Sequence, residues 1–70
     1  MDYEIKMNYK KDQAIIIFSD QNRFNHFVML CDLKIDDFAR PENIMKIDKD
    51  KLSVSFDTGI FDCHFKALLS

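Results

Sequence analysis

The sequence predicts an α+β domain, a small antiparallel sheet in the order β-β-α-β-β-β with one helix packed on one of its faces. Three observations carry this expectation. Tyr3, Ile5, Met7 and Tyr9 alternate with Glu4, Lys6, Asn8 and Lys10, the period-2 pattern of a strand with one buried side. Leu52, Val54 and Phe56, then Phe61, Cys63, Phe65 and Ala67, repeat that alternation on either side of Asp57-Thr58-Gly59. Between these strand patterns, Phe24, Phe27, Val28 and Cys31 fall on one helical stripe.

Taken in order, the first strand runs over residues 2–10 and breaks at Lys10-Lys11-Asp12-Gln13. The uninterrupted run Ala14-Ile15-Ile16-Ile17-Phe18 follows, as expected of a strand covered on both faces. The two pair as a hairpin. A three-residue and a four-residue loop turn opposite sides of the second strand to the core, so either Ile15 and Ile17 or Ile16 and Phe18 face outward.

Residues 19–33 read as the helix. Ser19 or Asp20 can cap its start, and Asp20 suits the positive end of the helix dipole. Met29, Leu30 and Leu33, beside His26, lie on what should be the polar side. The same stretch read as a strand lines Phe27, Met29, Cys31, Leu33 and Ile35 on one face, so an all-β meander with residues 24–35 as a strand is the alternative. Pro41 forces Arg40 out of the α region, and residues 34–43 are expected to form a loop anchored by Phe38.

Residues 44–47 read as a short strand, and Asp48-Lys49-Asp50-Lys51 as its turn, which pairs Ile47 with Leu52 and Met45 with Val54. The final hairpin places Phe56 opposite Phe61, Val54 opposite Cys63 and Leu52 opposite Phe65. It closes through Thr58-Gly59 or through a four-residue loop in the same register, and Gly59 supplies the positive φ of a tight turn. The sequence ends Ala67-Leu68-Leu69-Ser70, an apolar stretch expected to pack.

Seventy residues, 47% apolar and 31% charged, make one domain spanning residues 1–70, near the lower limit of what folds without staples. The net charge of −2 argues against a protein that works by neutralising phosphates. Neither a membrane-spanning run nor a signal-peptide pattern is present, so a complete cytoplasmic product is expected. Cys31 and Cys63 do not make a disulfide framework, and both are expected to be free and buried. Abundant Ile, Lys, Asp and Phe suit an AT-rich coding sequence of the kind carried by phages and mobile elements.

No cofactor or metal site is indicated. His26 and Cys31 stand about 140° apart around a helix, and Cys63 and His64 point to opposite sides of a strand, so one metal ion cannot gather them. The same geometry separates a Cys-His nucleophile pair. Ser53, Ser55, Asp62, His64 and Lys66 form a solvated strand face, with His64 open to a pH-sensitive contact. Tyr3 and Tyr9 point inward while Lys6, Lys10 and Lys11 do not, which disfavours base stacking with phosphate contact.

What a single sheet and helix do not absorb is surplus apolar surface. Ile44 and Ile60 fall on the sheet's far side, joined by Ile15 and Ile17 in one of the two registers, and Met29, Leu30 and Leu33 lie on the outer side of the helix. Patches of this extent mark a protein contact or a self-association surface. The expected function is therefore that of a small non-catalytic module binding another protein or itself as a homodimer, an inhibitor or accessory regulator. A phage- or mobile-element product acting on a host nuclease or defence enzyme fits that description. The alternatives are a small nucleic-acid-binding domain and a subunit of an enzyme whose site forms on assembly.

Overall fold

The computed structural model describes residues 2–40 and 43–70. Strands β1 (Tyr3–Asn8) and β2 (Gln13–Phe18) form a hairpin, helix α1 (Gln21–Ile35) follows, and β3 (Met45–Asp48) and β4 (Ser53–Phe56) form a second hairpin. A helical segment then runs through Thr58–Ile60, Phe61–Phe65 and Lys66–Leu69. The sheet is antiparallel with order β1-β2-β4-β3. The radius of gyration is 11.2 Å, matching the ~11 Å of a compact chain of this length.

The class follows the sequence pattern, and the last element does not. Residues 58–69 are helical where a strand was expected, and β2 takes the place beside β4 that this strand would have filled. Phe61 and Phe65 are spaced to satisfy both a strand and a helix. The residues that decide between them are Cys63 and Ala67, because Leu69 repeats that spacing and suits both. Phe61, Phe65 and Leu69 are buried, and the helix exposes Cys63 and Ala67, which a strand would bury. Gly59 accordingly has no positive φ. Its environment is open, with no atom within 4 Å of where a Cβ would stand.

Asp12 starts this helical segment from a distance. Its carboxylate accepts from the Thr58 backbone N–H at 3.1 Å and from the Thr58 hydroxyl, satisfying a donor that the helix leaves unpaired. At the far end Arg23 donates to the Leu69 carbonyl at 2.9 Å, the partner that a helix C-terminus lacks. Between the two the helix widens to an i→i+5 turn over Phe61–Phe65, closed by Lys66 N–H on the Phe61 carbonyl, and then tightens to a 3₁₀ turn over Lys66–Leu69.

The first hairpin settles the register left open by the sequence. Asn8 opposes Gln13, so the turn takes the four residues 9–12. Tyr9, expected on the inward side of the strand, lies in that turn and is 72% exposed. Ala14, Ile16 and Phe18 therefore face the core, and Ile15 and Ile17 face away. In the second hairpin Ile47 opposes Val54 and Met45 opposes Phe56, two residues along from the expected pairing. Asp48 accepts from the N–H groups of Asp50 and Lys51 at 3.1 and 3.2 Å, and Leu52 joins the turn at φ 50°. A slip of two preserves the face of every strand side chain, so Met45, Val54 and Phe56 still face inward, while Ile47 on the edge strand is 39% exposed.

Helix α1 begins where the capping residue indicated. Asp20 is extended, and its side chain accepts from Arg23 N–H at 3.0 Å. Phe24, Phe27 and Cys31 are buried against the sheet, and Val28 packs at the edge of the same cluster. Phe27 lies 5.3 Å from Phe18 and edge-on to Phe56 at 6.3 Å. The helical segment roofs the rest: Phe65 stacks on Phe56 at 4.5 Å and on Phe38 at 5.8 Å. Phe38 thus anchors the residues that follow α1 as its place in the sequence suggested, although Lys34 and Ile35 of the expected loop belong to the helix, and the break expected at Pro41 lies outside the described residues.

Candidate interaction surfaces

The strand registers fix what the face opposite α1 displays. One row across the sheet reads Lys6, Ile15, Ser55, Lys46, and the next reads Glu4, Ile17, Ser53, Asp48. Among the described residues no helix covers these rows, because both helical elements pack on the side of Ile16 and Val54. Two isoleucines on an inner strand thus stand at the centre of an open face, half-buried by their neighbours. They line a shallow groove of about 410 Å³ together with the two serines, Lys6, Lys46, Lys51 and Asp48. Asp48 is already engaged by the backbone of its own turn, which leaves the groove's rim weighted towards its lysines. This is an apolar centre inside a polar ring, the composition of a contact surface.

A second apolar feature runs along the outer side of α1. Met29 and Leu33, one turn apart, are 51% and 69% exposed, with Leu30 half-buried beside them and His26 exposed one turn earlier. This ridge points away from the sheet, so it is separate from the groove. The seven residues singled out by the sequence therefore divide into three groups rather than one surface. Ile15 and Ile17 share the open face, and Met29, Leu30 and Leu33 share the ridge. Ile44 and Ile60 are not on the far side of the sheet: Ile44 precedes β3, Ile60 belongs to the helical segment, and both pack against the core.

Ser53 and Ser55 are in register with the open face, but Ser53 is buried rather than solvated, and Asp62, His64 and Lys66 left that face when their strand became a helix. His64 instead meets Phe38 edge-on at 5.0 Å. The two cysteines differ. Cys31 is buried, and desolvation, aided by the charge of Asp32, pushes its thiol up to about 12. Cys63, expected in the core, is exposed, because the helical backbone turns it outward between Phe61 and Phe65.

No family model, curated protein or solved structure matches the chain. The reading of these surfaces rests on their chemistry alone. Among the described residues, no group of three or more His, Cys, Asp or Glu side chains is placed to hold a metal ion. No helix among them is long and apolar enough to cross a membrane. A smaller cleft of about 200 Å³ lies between the β1–β2 turn and the start of β3, lined by Asp12, Asp57 and Lys11 among others. Asp12 is committed there to Thr58, so the cleft is part of the joint between the first hairpin and the helical segment. Sequence pattern alone could not reveal this joint, since its two residues are 46 positions apart.

Proposed function

We propose that the chain is a small non-catalytic protein-binding module, an inhibitor or accessory regulator, that meets its partner with the open face of the sheet. The observation that carries this reading is the pair Ile15 and Ile17, set side by side on an inner strand with no helix over them and a lysine- and serine-lined groove around them. The partner chemistry that suits this face is an apolar side chain flanked by acidic groups, which would dry the two isoleucines while meeting Lys6, Lys46 and Lys51. Single-stranded nucleic acid suits it less well. The open face offers no aromatic ring among its described residues, and Glu4 and Asp48 interrupt its lysines.

The test compares proteins retained by the immobilised wild-type chain with those retained by Ile17→Asp, a substitution on the open face that leaves the core rows intact. A protein retained by the wild type and lost with the variant, while melting curves show that the variant is folded, is the expected result. Equal retention by the two chains, no retained protein, or retention of nucleic acid at physiological salt would overturn the proposal.

A further inference from the structure

Order β1-β2-β4-β3 leaves β1 as an edge, and the hydrogen bonds state which of its backbone groups are free. Ser19 N–H donates to the Asp2 carbonyl at 2.9 Å, so Asp2 and Ser19 form a hydrogen-bonded pair in the same register as β1 and β2. In an antiparallel ladder such pairs alternate with pairs that do not bond each other. Glu4, Lys6 and Asn8 therefore bond β2, while the N–H and C=O groups of Tyr3, Ile5 and Met7 point to the free edge. Phe18, opposite Tyr3, confirms the phase by donating away from β1, to the Leu52 carbonyl at 2.8 Å.

This edge is complementary to itself. We infer that two copies of the chain associate through antiparallel β1 strands, with Ile5 opposite Ile5 of the second copy. Tyr3 then pairs with Met7 of the second copy, and the outward-pointing groups of Tyr3, Ile5 and Met7 meet one another without a mismatch. On the open face, Glu4 of each copy stands opposite Lys6 of the other, in the closely spaced positions where side chains approach best. A slip by two residues in either direction sets Glu4 against Glu4 or Lys6 against Lys6, and a slip by one pairs bonded groups with free ones. Charge and backbone geometry thus select a single register. On the inner side, the partly buried Tyr3, Ile5 and Met7 gain cover from the same residues of the second copy.

The two-fold axis stands perpendicular to the sheet, so both copies keep their helices on one side. The result is one eight-stranded sheet with an open face twice as wide. The opposite edge, β3, is four residues long against six for β1 and offers fewer free backbone groups for the same operation. The interface is small, so association is concentration-dependent and weakened by salt. The inference does not require the open face to bind a partner: it shares Lys6 with the groove but does not use Ile15 or Ile17.

Sedimentation equilibrium of the full chain, up to about 1 mM and at low and high salt, tests it with a charge swap. The wild type is expected to reach twice its mass of 8.3 kDa. Glu4→Lys sets two lysine pairs across the axis and Lys6→Glu two glutamate pairs, each weakening self-association by roughly tenfold or more. The double variant restores it, and so does mixing the two single variants in equal amounts, since one then offers only lysines and the other only glutamates. Both positions are exposed, and melting curves check that the fold is kept. A wild type that stays monomeric, single variants that associate like the wild type, or a mixture that fails to pair would overturn the inference. Ile17→Asp is expected to leave the dimer intact, which separates this result from the test of the open face.

Discussion

Replacing Gly59 by alanine tests the least expected part of the fold. Gly59 sits in the first turn of the helical segment, at a backbone angle any L-residue adopts, and an added Cβ meets nothing within 4 Å. The folded state thus accommodates the methyl group without strain. The unfolded chain loses freedom, and the helix gains a better former, which together favour the variant by about 0.4–1 kcal/mol. Unfolding entropy near the midpoint is ~2.1 cal/mol/K per residue. Over 70 residues that makes about 0.15 kcal/mol/K, and the melting temperature should rise by about 3–7 °C. Thermal denaturation followed by far-ultraviolet circular dichroism reads the shift. The hairpin suggested by the alternation of residues 52–67 demands the opposite. A positive φ at residue 59 would make alanine cost ~1 kcal/mol or more and lower the midpoint by a similar margin. A fall in melting temperature refutes the helix.

Other substitutions bear on other joints of the fold. Asp12→Ala removes the carboxylate that receives Thr58 and should lower stability by about 0.5–2 kcal/mol in urea titration. Asp12→Asn, which keeps an acceptor and tolerates the residue's φ of 51°, should recover most of that loss. Phe27→Ala empties the centre of the core at a cost of about 3–5 kcal/mol, enough to unfold a domain of this size, whereas Leu33→Asp on the exposed ridge should change stability by less than about 0.5 kcal/mol. Cys31 links stability to alkaline pH. Its thiol titrates at about 12 in the folded chain against an ordinary 9.0, so the unfolded state releases its proton first. The contribution is whole below pH 9 and is lost as pH climbs towards 12; Cys31→Ala should flatten that decline. In native conditions a thiol reagent should modify Cys63 at once and Cys31 only on unfolding.

Much of this architecture is legible in the residues themselves. Four strands and the long helix follow from alternation, from the Phe24, Phe27, Cys31 stripe and from Asp20 as a cap, because each of those signals acts over a few residues. The turn of residues 9–12 was legible only as one of two alternatives, since the choice between three and four residues is made by which side of β2 meets the core. Asp12 in that turn bonds Thr58 across the fold. The same long-range bond starts the helical segment, and the sequence pattern around Phe61 and Phe65 serves two periods equally well. Among the candidate contact residues, Ile15 and Ile17 came to the open face once the turn length was fixed. Ile60 went to the core because its element changed type, and Ile44 because it lies just outside β3.

The helical segment is held at its start by Asp12 and at its finish by Arg23, each bond spanning 46 positions. Its twelve residues include one wide turn and one tight one, a poor recipe for a helix standing alone in water. A peptide of residues 57–70 should therefore be unstructured, and residues 1–56 without it should leave Phe56 and Phe27 wet. Neither piece has a native shape to wait in, so this chain should gain its shape in one step and lose it in one step.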